Sequence, residues 1–143
     1  MDKRIFSLLA GALLGTAGSV AISFAAEPPA AAAAAAPAPL ITQGELLARL
    51  EKKDPELVVL DVRTPAEFAA GHVPGARNVS HDLLSSKVAE LTELRDQQVV
   101  LYCRSGRRTL LAEETLRHAG FTKLLHLQGD YLAWEAEHRP IEK

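Results

Sequence analysis

The sequence predicts an α/β domain in which helices cover both faces of a parallel sheet. Two observations lead there. ELVVLDV, residues 56–62, and QVVLYC, residues 98–103, are apolar at nearly every position, as strands buried on both faces must be. Segments of helical periodicity separate these runs, and strands alternating with helices imply parallel pairing.

The elements follow in chain order. Leu40-Ile41 is a short apolar pair, and Thr42 with Glu45 forms a capping box that opens a helix through about Lys52. Asp54-Pro55 turns the chain into the strand at 56–62. Thr64-Pro65-Ala66-Glu67 is a second capping box with proline at the first helical position, and Gly71 stops that helix. HVPGARNV carries a Pro-Gly turn and a short strand around Arg77 to Val79. Leu83, Leu84, Val88, Leu91 and Leu94 recur at helical spacing, which places one or two helices between Ser80 and Leu94. After the strand from Gln98, residues Arg107 to Ala119 show Leu110, Leu111, Thr115 and Leu116 on one stripe, closed by Gly120. FTKLLHL from Phe121 is the final strand. No internal repeat is present.

The 143 residues suffice for one ordinary domain, and not all of them belong to it. A basic start, Asp2-Lys3-Arg4, precedes an uncharged stretch from Ile5 to Ala26, and Ser23-Phe24-Ala25 offers the small residues that signal peptidase needs. Residues 1–25 therefore read as an export signal, with the periplasm as destination. The alternative is a retained inner-membrane anchor facing the periplasm, since a span takes about 20 residues. Gly11, Gly15, Thr16, Gly18 and Ser19 dilute the second half and favour cleavage. Residues 26–39, rich in alanine and proline, read as a disordered tether. The domain then runs from 40 to 143, about a hundred residues, within the range of a self-sufficient core.

Loss of Asp2, Lys3 and Arg4 with the leader moves the formal charge from −2 to −3, which leaves no general basic field for nucleic acid. A lone cysteine, Cys103, excludes an internal disulfide, although export leads to an oxidising compartment.

Ligands of open α/β sheets bind at the carboxyl ends of strands, and Cys103 ends one. The loop Arg104-Ser105-Gly106-Arg107-Arg108 follows it and leads into a helix. Inward backbone N–H groups, a permissive Gly106 and the positive end of the helix would form an anion cradle with sulfur at its base. Such surroundings favour thiolate and predict a depressed cysteine pKa. A lone cysteine ending a buried strand also serves elsewhere as a small core hydrophobe. Three arginines and a glycine within five residues argue against an inert role here.

LDVRTPAEFAAGHVPGARNV (60–79) and VVLYCRSGRRT (99–109) resemble the two signature segments of the rhodanese family of sulfurtransferases. LQGDYLAWEAEHRPIE resembles that family's C-terminal segment, with Gly129 and Trp134 in place, so the similarity spans about Leu40 to Glu142. With its leader the chain is similar to exported single-domain rhodaneses of Gram-negative bacteria. The resemblance implies a three-layer fold on a five-stranded parallel sheet and a persulfide intermediate on Cys103. Arg104, Ser105, Gly106, Arg107 and Arg108 would bind the anion, and Asp61 and Arg63 would brace the active-site loop. It implies a small anionic sulfur donor, a small nucleophilic acceptor such as cyanide or a thiol, no metal or organic cofactor, and a monomer. One departure stands out. The family commonly has Gly-Gly before the last helix, and Asp130 occupies the second position, a change expected to alter a turn without touching the chemistry.

Cysteine-dependent phosphatases and arsenate reductases are the nearest rival. They place arginine six positions after the cysteine, where this chain has Thr109, while Arg108 lies five positions after. A non-catalytic sulfur or anion carrier, or an interaction module, is the alternative from another class. From sequence alone Asp61 and Arg63 fit a half-exposed surface pair equally well. Glu67 reads as the capping partner of Thr64, and His72 as part of a structural turn. His81, His118, His126 and His138 show no metal-ligand spacing, and solvated or edge positions are expected for them. Trp134 is expected to pack the last helix onto the sheet.

Overall fold

A computed structural model describes residues 36–143. The leader and most of the tether lie outside the described residues. Five parallel strands form one sheet: β1 (Leu40–Ile41), β2 (Leu57–Asp61), β3 (Arg77–Asn78), β4 (Gln98–Tyr102) and β5 (Leu124–Leu127), in the order β1-β5-β4-β2-β3. The helices are α1 (Gln43–Glu51), α2 (Pro65–Ala70), α3 (Leu84–Lys87), α4 (Arg107–His118) and α5 (Asp130–Ala136), and a 3-10 helix (Val88–Leu94) continues α3.

Strand β4 lies between β2 and β5, so both of its edges are paired, and its side chains divide by parity between two buried cores. Val99, Leu101 and Cys103 join Leu60, Leu91, Ala112 and Leu116 in one core, while Val100 and Tyr102 join Ile41, Leu46, Tyr131 and Trp134 in the other. Trp134 is fully buried as expected, and its indole N–H donates to the Pro140 carbonyl at 2.8 Å.

Local signals set most boundaries. The Thr64–Glu67 capping box is reciprocal, with Thr64 N–H donating to Glu67 Oε2 at 3.0 Å and Glu67 N–H to Thr64 Oγ1 at 3.3 Å. At α1, Thr42 Oγ1 accepts from Glu45 N–H at 3.2 Å, and no return bond from Thr42 N–H to the Glu45 carboxylate accompanies it.

Other expectations also need correction. The buried stripe of α4 is Thr109, Ala112, Glu113 and Leu116, whereas Leu110 and Leu111 are 49% and 52% exposed. Apolar content pointed to the wrong phase because a buried glutamate, paired from several sides, occupies an inward position. The domain also begins before residue 40. Ala38 is buried, its N–H donates to Glu113 Oε2 at 2.9 Å, and the Pro39 carbonyl accepts from His126 N–H at 2.9 Å. An alanine has little to bury, but its backbone here supplies a hydrogen bond that the buried carboxylate requires.

Asp61 and Arg63 are 0% and 3% exposed, which rules out the half-exposed surface pair. Arg63 donates through Nη2 to Asp61 Oδ2 at 2.6 Å and to the Gly71 carbonyl at 2.8 Å, and its guanidinium carbon stacks 3.8 Å from the Tyr131 ring centroid. Burial acts to lower the guanidinium pKa, and Asp61 more than offsets it, so the group is held above its ordinary value. Removing one partner strands a buried charge. Arg63→Ala is expected to destabilise the domain by about 3–5 kcal/mol in urea unfolding at neutral pH, where a surface pair would cost under about 1 kcal/mol.

Candidate active site

Strands β2, β4 and β5 end at the same edge of the sheet, and the residue after β4 is Cys103. Its backbone is held on both sides. The N–H donates to Asp130 Oδ1 at 2.8 Å, and the carbonyl accepts from Tyr131 N–H at 3.0 Å. Leu132 N–H takes the next carbonyl, that of Arg104, at 3.1 Å, so the first turn of α5 anchors the start of the loop.

The side chain of Cys103 packs with the core beneath α4, and only 1% of the residue is exposed. Its sulfur nevertheless faces the loop, because Gly106 N–H donates to Sγ at 3.0 Å. Gly106 has φ +100°, and a Cβ there would stand 3.1 Å from Asp130 Oδ2. Conformation and space both require glycine at the position that presents its N–H to sulfur. The N–H groups of Arg104, Ser105, Arg107 and Arg108 donate to no protein acceptor among the described residues, and no side chain caps α4. A loop with unspent donors therefore follows the sulfur and leads into the N-terminus of a 12-residue helix, with the Gly106 N–H on the sulfur itself.

The three arginines separate. Arg104 and Arg107 are exposed, and Arg104 lines a hollow of about 180 Å³ with Arg63, Glu67, Tyr131, Leu132 and Glu135. Arg108 turns to Glu67, donating from Nη1 to Oε2 at 2.7 Å and from Nη2 to Oε1 at 2.9 Å. Glu67 above all, with a smaller contribution from the Cys103 sulfur, holds the Arg108 guanidinium above its ordinary value. The same fork takes the Glu67 carboxyl down to about 2. Glu67 thus caps α2 and tethers the far end of the cysteine loop. Sequence reasoning found only the cap, since nothing local links positions 67 and 108.

Asp61 and Arg63 lie at this edge, but their side chains bond to each other and to the Gly71 carbonyl, and the carbonyls of both accept from the Asn78 side chain. They brace the turn after α2 and the Tyr131 ring rather than the cysteine loop. His72 is structural. Its Nδ1 lies 2.9 Å from the Phe68 carbonyl, its ring stacks on Phe68 at 3.6 Å, and its backbone pairs with Glu142.

His126 and Asp130 depart most from expectation. His126 is buried rather than at a solvated edge, with Nε2 3.0 Å from Asp130 Oδ2 and Nδ1 3.0 Å from Glu113 Oε1. Gly129 and Asp130 have φ +75° and +51°. The paired glycines common in the family thus correspond to two successive left-handed residues. Aspartate adopts that conformation more readily than most side chains, so the geometry stays and a carboxylate is added. Contrary to expectation, that carboxylate touches the backbone of Cys103.

The sequence matches the model of the Rhodanese-like domain over residues 42–137, and the chain belongs to that family. It is 36% identical over 86 residues to a sulfurtransferase of Allochromatium vinosum, covering 60% of this chain and 78% of that protein. It spans only 22% to 59% of the length of other curated relatives. The rhodanese-like domain of Anabaena sp. Alr3790 has a similar structure, with TM-score 0.65, 30% identity and coverage of 73% of this chain and 78% of that one. A Rhodopseudomonas palustris protein of unknown function, described as a possible tyrosine phosphatase, gives TM-score 0.64 at 25% identity, with coverage of 73% and 85%.

The Glu67–Arg108 pair should govern acid stability. A depressed carboxyl contributes stability that is complete above its ordinary value of 4.5 and is lost as pH falls through about 2. Denaturation midpoints between pH 4.5 and 2 should fall less steeply for Glu67→Gln than for the parent protein. Equal slopes would show that the pair does not form in solution.

Proposed function

We propose that the domain moves a sulfane sulfur from a thiosulfate-like anion to a small nucleophile through a persulfide on Cys103. The observation that carries this reading is the Gly106 N–H on the Cys103 sulfur at 3.0 Å, within a loop of otherwise unspent N–H donors. The Cys103 thiolate attacks the outer sulfur of the donor. A new S–S bond forms, the donor's S–S bond breaks, and sulfite departs with the electron pair. Charge on the terminal sulfur and on the departing anion is stabilised by the loop amides. Cyanide or a thiolate then attacks the outer sulfur and returns the electron pair to Cys103. These steps use only groups of this chain and its two substrates.

Sulfur transfer is favoured over phosphate chemistry by the use of position 109. Thr109 is buried, and its hydroxyl donates to Asp130 Oδ1 at 3.0 Å, away from an incoming anion. The loop closes instead on Arg108, itself tied back to Glu67. The sulfurtransferase relatives support the same class. We further propose that the leader delivers the domain to the periplasm, where a free thiol without a disulfide partner would meet small sulfur anions.

Intact mass after incubation with thiosulfate should increase by one sulfur atom, and cyanide should remove it. Cys103→Ser should gain no sulfur and show no turnover while unfolding as the parent does. An adduct that cyanide leaves in place would indicate a carrier rather than an enzyme. Arg108→Ala should raise KM for thiosulfate about tenfold through loss of a charged donor beside the loop. Unchanged kinetics would remove Arg108 from the anion site. A chromogenic phosphate ester should be hydrolysed no faster by the parent than by Cys103→Ser.

A further inference from the structure

Glu113, His126 and Asp130 form a buried charged chain that ends on the cysteine loop and that the proposed transfer does not itself use. Its members come from three elements, Glu113 from α4, His126 from β5 and Asp130 from the start of α5. Asp130 is the hub. Oδ1 accepts from Cys103 N–H at 2.8 Å and from Thr109 Oγ1 at 3.0 Å, and Oδ2 faces His126 Nε2 at 3.0 Å. A Cβ on Gly106 would stand 3.1 Å from Asp130 Oδ2 and 3.7 Å from His126 Nε2, so the glycine that donates to sulfur rests against this pair.

We propose that Asp130 is a positioning residue that holds Cys103 and the Gly106 N–H in register, and that the proton on His126 sets the charge against which it does so. This rests on Cys103 being the reacting sulfur.

The groups around the imidazole are accounted for on every side. Asp130 faces Nε2, Glu113 faces Nδ1, and Arg117 lies 3.3 Å from the other Glu113 oxygen, which also accepts from Ala38 N–H. Beyond Asp130 lie the Thr109 hydroxyl and Cys103. As imidazolium, His126 donates from Nε2 to Asp130 and sets its charge 3.0 Å from Glu113 Oε1, an oxygen that has no hydrogen-bond donor of its own among the described residues. Neutral, it has one N–H and no charge, and both buried carboxylates lose the counter-charge it supplied. Burial alone would lower the His126 pKa, but Asp130 first and then Glu113 raise it above 6.5, and Asp130 is held below its own ordinary value despite burial. The stabilising contribution of the chain is complete below 6.5 and is lost as pH rises through the raised value. Above that pH the carboxylate nearest Cys103 lacks its counter-charge.

Alkylation of Cys103 by iodoacetamide reads the coupling without requiring sulfur transfer. Its pH–rate profile should carry an inflection at the pH where His126 titrates by NMR. His126→Gln should erase that inflection and slow alkylation at pH 7 about threefold, as expected for removal of a nearby cation. Asp130→Gly, which suits the left-handed backbone, should erase it too. In the parent protein, capping Cys103 with the neutral carbamidomethyl group should shift the His126 titration, because coupling between two sites is reciprocal. An inflection that survives both substitutions, or a His126 titration indifferent to capping, overturns the proposal while leaving persulfide formation intact. A coupled profile in a protein that accepts no sulfur from thiosulfate would instead remove the sulfur-transfer reading and keep the coupling.

Discussion

The hydrogen bond from Cys103 N–H to the Asp130 carboxylate joins the parts of this domain that must agree for the cysteine to face its loop. That carboxylate also takes the Thr109 hydroxyl in the first turn of α4 and faces His126 on β5. A buried carboxylate without partners would be strongly disfavoured, so its position is stable only while all three donors converge on it. Convergence in turn needs the left-handed turn at Gly129 and Asp130, which aims the side chain back under the end of β4. Tyr131 and Leu132 then meet the carbonyls of Cys103 and Arg104. The direction of the sulfur follows from these bonds together with strand parity, which turns Cys103 toward α4.

Each face of the sheet is apolar through its middle and ends in buried charge at the carboxyl edge. On the face of Tyr102 and Trp134 that charge is Asp61 and Arg63, stacked on Tyr131. On the face of Cys103 it is Glu113, His126 and Asp130. Buried ion pairs contribute little net stability compared with apolar packing, but they tolerate few alternative geometries. Rigidity suits the proposed role of the loop, in which its N–H groups would point at an anion rather than at one another.

The parallel sheet was legible in the sequence because doubly buried strands leave continuous apolar runs, and the helix starts because capping chemistry is local. Cys103 and its loop were legible for the same reason, since position at a strand end, glycine and charge lie within a few consecutive residues. Long-range pairings were not. Glu67 and Arg108 are 41 positions apart, and Ala38 and Glu113 are 75 apart, so no local pattern announces either pair. The phase of α4 was misread for a related reason. Hydrophobicity places Leu110 and Leu111 inside, whereas Glu113 lies inside because His126, Arg117 and the Ala38 backbone meet it there. His126 alone resembles any edge histidine, and Asp130 alone resembles a change of turn residue. Their meaning arises only where β5, α4 and α5 meet.

The dimensions of the loop bear on which anions it can serve. Gly106 rests against Asp130 and His126, the start of the loop is hydrogen-bonded to α5, and its end is forked onto Glu67. Widening it would break at least one of these attachments. A single additional sulfur on Cys103 needs little room beyond the sulfur already facing the Gly106 N–H, whereas a phosphoryl group would require donors around three further oxygens. Arg104 stands outside this ring, on the rim of the adjoining hollow with Glu67 and Glu135. Its charge can draw an anion toward the mouth without filling the space where the transferred sulfur would reside. In the proposed transfer, this division would leave recognition of the larger part of a donor to exposed side chains and stabilisation of the transferred atom to the backbone, which is the more rigid of the two.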